Sequence, residues 1–182
     1  MISENENYLI LYFNNIRIMV RKFVKALAVI IISAAASFTS FAQEEVTVPD
    51  VISFLGTYEE QECVDYMTLE GLMLGFAKPA LKDTPMKDLI EHIKQLCVFN
   101  MSNPDKETRK KFMNALSPVV SGYEKIMGAK EGNTESIIYL KRKDDAVISE
   151  MVVYSSDADI AIVVMKGEIP ISAFEAMAAQ SE

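Results

Sequence analysis

The side chain best suited to acid–base chemistry is that of a histidine. His92 is the single histidine among 182 residues, and it follows Asp88 and Glu91 in a segment with helical spacing. A histidine beside a carboxylate could transfer protons in catalysis. No identifiable nucleophile accompanies it, however, so the favoured interpretation is a solvated residue on a helix surface.

The two cysteines, Cys63 and Cys97, both fall on predicted strands. In an oxidising compartment they could form a disulfide if those strands were neighbours. Because the required Cα separation is narrow, two buried thiols are the favoured alternative. Two separated cysteines and one histidine do not make a tetrahedral zinc set, so we predict no metal and no cofactor.

Two glutamates complete the candidate polar site of His92, Glu124 and Glu150. Glu124 is predicted on the polar side of a long helix, whereas Glu150 interrupts an otherwise apolar strand. A functional interpretation of Glu150 is a buried acid in a pocket. The favoured alternative is a cross-strand ion pair with Lys141 or Arg142.

Two further patterns have a functional and a structural interpretation. Asp157-Ala158-Asp159 alternates carboxylates as calcium loops do, but it lacks their glycine and terminal glutamate, which favours a hairpin turn. The eleven methionines could line an adaptable apolar pocket, yet most fall on predicted core stripes. The chain has no glycine-rich phosphate loop, nucleophile elbow or metal-binding helix motif, which favours a non-enzyme.

The first 42 residues have the pattern of an export leader. A basic start at residues 21–25 precedes an apolar run at 26–36, and small residues follow at Ser40 and Ala42. This pattern predicts a signal peptide that is cleaved after Ala42. The apolar run is too short for a comfortable membrane anchor.

The signal pattern begins at Met19, so residues 1–18 are interpreted as a mis-annotated start; the alternative is an unusually long front region. Residues 43–182 are then predicted to form one domain.

Net charge restricts the partners of the chain. The whole chain carries −8, and because the leader holds four basic and two acidic residues, the remainder carries −10. Such a charge disfavours binding to nucleic acid and to an anionic membrane face.

Apolar spacing and turn residues predict the elements of the mature chain. Predicted strands cover residues 63–67, 96–99, 136–142, 146–154 and 160–166. The predicted helices are a short one at 51–58, a long one at 103–127 that is kinked or broken at Pro118 and ended by Gly128, and a closing one at 170–179. Two more are predicted between the first two strands. One starts at Thr68, with a buried stripe of Leu69, Leu72, Met73 and Phe76, and ends at Pro79, and the other starts at Thr84, with Met86, Leu89, Ile90 and Ile93 inward.

These elements predict an α+β fold. We expect a single mixed β-sheet of about five strands, with helices packed mainly on one face and a C-terminal antiparallel meander of three strands. A helical crossover would make the first two strands parallel if they were neighbours.

Several segments resemble a known family. They are residues 123–127, the turn at Gly132-Asn133, and the apolar runs at 137–141, 148–153 and 160–167. They are similar to domain-of-unknown-function family 4252, over roughly residues 51–177. The resemblance implies a small exported protein or lipoprotein of Bacteroidetes, with no established activity to carry over. The cysteine that a lipid anchor requires is absent near the cleavage site.

The expected function is therefore that of an exported envelope protein, periplasmic or associated with the outer envelope, that binds an envelope protein or a small ligand without catalysis. The mature chain is expected to contain no integral membrane segment. One alternative is a small hydrolytic or redox enzyme that uses His92 or the cysteines. The other is a carrier of lipid or apolar ligands that uses the methionines.

Overall fold

The structure is a computed structural model that describes residues 49–81, 87–131 and 134–179. The predicted leader, the helix start at Thr84-Pro85 and the turn at Gly132-Asn133 lie outside the described residues. Within the described ranges, no helix has the length and apolar character that crossing a bilayer requires.

The described residues form six strands and five helices. The strands are β1 (Val64–Glu70), β2 (Ile93–Met101), β3 (Glu124–Glu131), β4 (Thr134–Arg142), β5 (Val147–Ser156) and β6 (Ile160–Pro170). The helices are α1 (Val51–Gly56), α2 (Gly71–Leu81), α3 (Lys87–Ile90), α4 (Lys106–Val119) and α5 (Ile171–Ala179).

All six strands belong to one antiparallel sheet, in the order β1-β2-β6-β5-β4-β3. The predicted α+β class and the β4–β5–β6 meander are confirmed. The prediction of a mixed sheet is wrong, because β1 pairs antiparallel with β2, with Glu70 opposite Gln95. Since α2 and α3 return the chain to the end of the sheet where β1 finishes, β2 runs back beside it.

The sixth strand, β3, replaces the end of the predicted long helix. Helix α4 ends at Val119, with Pro118 in its last turn, and residues 124–131 pair with β4 instead. Of the kinked or broken helix that the sequence predicts at Pro118, the structure shows the break, because proline lacks the N–H that an α-helix needs. Glu124 consequently lies on an edge strand, and Gly128 lies within β3 rather than at a helix end.

The start of α2 also differs from its prediction. Strand β1 continues through Glu70, so Thr68 and Leu69 belong to the strand, and the chain reverses at Gly71, whose φ is 53°. The later start changes which side chains face the core. Leu72 and Met73, predicted to be buried, are 83% and 59% exposed, whereas Leu74 is buried.

The other helix boundaries lie closer to those predicted from the sequence. Pro79 lies inside α2, which continues to Leu81. In α3, Leu89 and Ile90 are buried as predicted, but Ile93 is the first residue of β2. Helices α1 and α5 confirm the predicted first and closing helices.

The sheet has an apolar core on each face. Leu96 and Val98 lie in the core under α2, α3 and α5, whereas Cys97 and Phe99 lie in the core under α1 and α4. The expectation that helices cover mainly one face is therefore wrong. The central strands contain continuous apolar runs, so both of their faces require cover.

Four aromatic rings join α1 and α4 to the sheet. Phe112 of α4 stacks on Phe99 of β2 with centroids 5.4 Å apart, and its ring lies 5.1 Å from Tyr58 and 5.8 Å from Phe54. We call these four residues the aromatic cluster. Each ring buries a large apolar area, so the cluster is a major contributor to the packing of this face.

One glycine allows a close approach between two inner strands. Gly167 of β6 lies opposite Ile93, beside an irregularity in the β2–β6 register. A Cβ built on Gly167 would lie 2.1 Å from the carbonyl oxygen of His92, and the Glu168 N–H donates to the same oxygen at 3.2 Å. Residues with a side chain cannot approach that closely.

The predicted hairpin turn at residues 157–159 is confirmed. The Asp157 N–H donates to the carbonyl of Asp159 at 3.0 Å, which closes the β5–β6 connection. One carboxylate oxygen of Asp159 accepts from the Asn103 N–H at 3.0 Å, so this acid helps position the chain before α4.

Candidate functional site

Glu150 is a buried acid at one end of the core that α1 and α4 cover. On β5, the side chains of residues 150, 152 and 154 share a face because strand side chains alternate. Val152 and Tyr154 fill the apolar core, and Glu150 ends their row with 6% exposure. Its register neighbours are Lys166 on β6 and Lys141 on β4.

Charged and polar groups from four elements surround this carboxylate. The Lys166 ammonium lies 3.8 Å from Oε2 of Glu150 and also binds Asp50, whose carboxylate accepts from the Ser53 N–H at the start of α1. Tyr123, in the turn after α4, interacts with the Glu150 side chain and lies 5.8 Å (ring centroid) below the Lys141 ammonium. We call these five residues, Asp50, Tyr123, Lys141, Glu150 and Lys166, the Glu150 corner.

Burial is the largest single influence on the pKa values of Glu150, Tyr123 and Asp50. It raises the pKa of Glu150, although Lys166, Tyr123 and Lys141 act in the opposite direction. Burial also raises the pKa of Tyr123, and the charge of Glu150 adds to that shift. At Asp50, burial is outweighed by the hydrogen bond and charge of Lys166, so the pKa of Asp50 is lowered.

One oxygen of Glu150 is unusual. Oε1 is buried and, among the described residues, has no hydrogen-bond partner. An ionised carboxylate can only accept hydrogen bonds, so burying it with an unsatisfied oxygen is costly. A protonated carboxyl group avoids most of that cost. Chemically, the corner can therefore retain a proton at a pH where an exposed glutamate has lost it.

The structure does not bring the three residues of the predicted polar site together. Glu124 lies on β3 and forms a partly exposed ion pair with Arg142, at 3.0 Å from Nε. His92 is an exposed residue of the turn before β2 rather than of a helix. Lys141 lies opposite Glu150 in the register, as the predicted cross-strand pair with Lys141 or Arg142 requires, but the ion pair that Glu150 forms is with Lys166.

Sequence reasoning missed three members of the Glu150 corner, and it placed one of them, Tyr123, on the apolar face of the long helix. Lys166 interrupts the apolar run of β6 as Glu150 interrupts β5, and the short hairpin between the strands could have placed the two charges opposite each other. Asp50 precedes α1, and no local signal connects it to a residue 116 positions later in the chain.

Cys63 and Cys97 are free thiols, the first exposed and the second buried. Cys97 lies opposite Thr68, whereas the carbonyl of Cys63 accepts from the Ser102 N–H. Five residues of strand therefore separate the two positions, which is roughly 16 Å. A disulfide requires Cα atoms within about 7 Å, so this structure excludes the pairing. Burial raises the pKa of Cys97 to about 12.

We expect a thiol reagent to modify one cysteine in the folded chain and two in the unfolded chain. The exposed Cys63 can react, whereas Cys97 is buried and its thiol stays protonated. Titration with a chromogenic disulfide at neutral pH, with and without denaturant, measures this. The Cys63→Ser variant should show no fast-reacting thiol, and two fast-reacting thiols in the folded wild type would contradict the structure.

Side chains that can bind metal ions and the methionines are the remaining candidates for a ligand site. Across the described ranges, no three His, Cys, Asp or Glu side chains are grouped closely enough to hold a metal ion. Met101, Met151 and Met165 are packed in the two cores, which supports the structural interpretation of those methionines.

The first turn of α2 presents an apolar surface. Leu72 and Met73 are the exposed large hydrophobic side chains of the described chain, and we call the pair the α2 surface. The helix contains one charged residue, Lys78, whose ammonium donates to the Glu91 carbonyl at 3.3 Å. The acid nearest in sequence is the exposed Glu70, which ends β1.

Comparison with known proteins gave one result. A family model described as a domain of unknown function (DUF4252) matches residues 58–177, about two thirds of the chain, from just before β1 into α5. Neither the curated proteins nor the solved structures gave a match. The match confirms the resemblance noted in the sequence, and the chain belongs to the DUF4252 family.

Proposed function

We propose that this chain is an exported envelope protein that works by binding a partner protein through the α2 surface, without catalysing a reaction. The observation that carries the proposal is the exposure of Leu72 and Met73, at 83% and 59%, on a helix with a single charged residue. A helix that is apolar on nearly every side is normally buried, whereas two of the described side chains of this one are exposed.

The gain from covering the α2 surface is large enough to drive recognition. Complete burial of a leucine or methionine side chain contributes about 1.5–3 kcal/mol. Methionine adapts to irregular surfaces, which suits it to a contact that forms and dissociates. These two residues would therefore act as anchors at the centre of a small interface.

Charge favours a protein partner over a lipid surface. Without its leader the chain carries a net charge of −10, which repels anionic headgroups, and the exposed Glu70 borders the α2 surface. A complementary partner would offer an aliphatic groove with a basic residue at its rim. Such a residue would steer association and suppress wrong partners more than it would add affinity.

The arrangement of reactive groups supports binding over catalysis. The Cys97 thiol is buried and, with a pKa of about 12, remains protonated, so it is a poor nucleophile. His92 is exposed and forms no ion pair or side-chain hydrogen bond with Glu124 or Glu150 within the described chain. These groups do not converge on one reacting centre.

The basis for export is the leader at residues 1–42, with its basic start, apolar run and small residues before Gln43. N-terminal sequencing of the native protein should begin at Gln43. Native protein that retains the apolar run would remove the basis for an envelope location.

Site-specific photo-cross-linking in living cells tests the α2 surface directly. A photoreactive phenylalanine analogue replaces Leu72 in one strain and Ser117, an exposed residue of α4 under the opposite sheet face, in another. We expect one adduct from position 72 that mass spectrometry identifies, with none from position 117. Adding Met73→Glu to the Leu72 probe should remove the adduct, because a charge then enters the apolar contact.

Matched controls separate this proposal from its alternatives. Ser117→Glu adds the same charge elsewhere and should leave the adduct from position 72 unchanged. Flotation with uncharged phosphatidylcholine vesicles should recover no protein, whereas recovery that depends on Met73 would indicate a lipid carrier. The same adduct from both probe positions, or an adduct that persists with Met73→Glu, would disprove the proposed surface.

A further inference from the structure

Glu150 is buried, one of its oxygens lacks a hydrogen-bond donor within the described chain, and it shares the ammonium of Lys166 with Asp50. The facing charged and titratable groups are Lys166 from β6, Lys141 from β4, Tyr123 from the turn after α4, and Asp50 from the start of α1. Of these, Lys166 also binds Asp50, and its ammonium is 3.8 Å from Oε2 of Glu150. Oε1 accepts no hydrogen bond within the described chain.

The protonation state of Glu150 determines whether this arrangement is balanced. With a proton on Glu150, the positive charge of Lys166 is balanced by the negative charge of Asp50. The neutral carboxyl group can then leave Oε1 without a hydrogen-bond donor at little cost. Without the proton, Glu150 and Asp50 compete for Lys166, while Lys141 acts on Glu150 from β4, and Oε1 is a buried charged acceptor without a donor within the described chain. Opening of the corner would expose that buried oxygen to bulk water.

We propose that Glu150 is a pH-responsive switch that controls the closure of α1 on the sheet. Protonated Glu150 leaves Lys166 to Asp50, which fixes the start of α1. Ionised Glu150 attracts water and Lys166, which weakens the contact with Asp50 and lets α1 open. The inference concerns the opposite sheet face from the α2 surface, and it does not depend on the proposed function.

Helix α1 is the element of the corner best able to move. It has six residues, and its polar attachments to the sheet are the Asp50–Lys166 pair and a hydrogen bond of 3.3 Å from the Tyr66 hydroxyl to the Ile52 carbonyl. Strands β4, β5 and β6, in contrast, each have two neighbours. Opening α1 would expose Val51 and Leu55, which are both fully buried in the closed state.

The direction of the pH response follows from proton linkage. Because the closed state holds the Glu150 proton more tightly than an open, hydrated state would, a rise in pH favours opening. The opening equilibrium should increase by up to about tenfold per pH unit between the open-state and closed-state pKa values, and then level off. Acidification should close α1 again.

Hydrogen exchange of single amides, measured by NMR, tests the switch. The reporter is the Phe54 N–H, which donates to the Asp50 carbonyl inside α1, and the reference is the Arg109 N–H in the first turn of α4. After correction for the intrinsic pH dependence of exchange, protection of Phe54 should fall in one step above about pH 4.5. Protection of Arg109 should show no such step.

Two isosteric variants make the test specific. Glu150→Gln should abolish the step at Phe54, since glutamine resembles the protonated acid and cannot ionise. Glu168→Gln neutralises an exposed glutamate that pairs with Lys94 and Lys143, and it should leave the step unchanged. A step that survives Glu150→Gln, or its absence from wild type between about pH 4 and pH 8, would overturn the proposal.

A second readout examines the competition for Lys166. The carboxyl carbon of Glu150, followed by ¹³C NMR, should titrate above the ordinary glutamate range in wild type. In Asp50→Asn, Lys166 is free to pair with Glu150, so the midpoint should fall. An unchanged midpoint in that variant would show that burial alone acts on Glu150, and it would refute the shared-cation mechanism.

Discussion

Gly167→Ala should destabilise the fold by about 3 kcal/mol or more, a large share of the stability of a small domain. The new Cβ would lie 2.1 Å from the His92 carbonyl oxygen and 3.1 Å from Cα of Ile93. These are backbone atoms, so no rotation of a side chain can relieve the clash. Strands β2 and β6 would have to separate, which would also weaken the hydrogen bond from the Glu168 N–H to His92.

Urea unfolding, followed by circular dichroism, measures this effect, and Gly75→Ala is the matched control. A Cβ on Gly75 would have no other atom within 4 Å, and the residue lies inside α2. Alanine there should leave stability unchanged or raise it by up to about 1 kcal/mol, because alanine is the better helix former. Equal stability of the two variants would show that β2 and β6 do not approach each other as described.

Phe112→Ala should cost about 3–5 kcal/mol. The side chain is 1% exposed, stacks on Phe99 and contacts both Phe54 and Tyr58, so its removal leaves a cavity at the centre of the aromatic cluster. The loss combines the transfer energy of the ring with the contacts that its neighbours no longer make. Chemical denaturation of wild type and variant under the same conditions measures it.

Phe112→Leu and Met113→Ala are the controls for this substitution. Leucine keeps much of the buried volume and should cost less than the truncation to alanine. Met113 neighbours Phe112 on the same helix but is only half-buried, so its truncation should also cost less. A loss below about 1 kcal/mol for Phe112→Ala would mean that α4 does not pack on the sheet through this ring.

Local signals were sufficient for the C-terminal half of the sheet. Dense β-branched residues and short polar connectors marked β4, β5 and β6, because hairpins are formed by residues close in sequence. The segment at 123–127 is predicted as the end of a helix because its apolar spacing also fits one. Only pairing with β4 decides that it is a strand, and such long-range pairing is not visible in local spacing.

The candidate site was predicted only in part for the same reason. Glu150 is identified because a charge in an apolar strand is conspicuous, and of the two cations that the sequence predicts as its partner, Lys141 and Arg142, the first lies opposite it. The contribution of Asp50 depends on where α1 docks, and the exposure of Leu72 and Met73 depends on the reversal at Gly71. Both are tertiary features that residue types alone do not determine.

The position of β6 in the sheet has a consequence for biosynthesis. It is the last strand in sequence, yet it lies between β2 and β5 and connects the β1–β2 pair to the other three strands. Until residues 160–170 have emerged, β2 lacks its inner neighbour and neither apolar layer can be completed. Such dependence on distant contacts slows folding. A nascent polypeptide of this topology cannot complete its sheet until synthesis is nearly finished, because the strand that joins the two parts of the sheet emerges last.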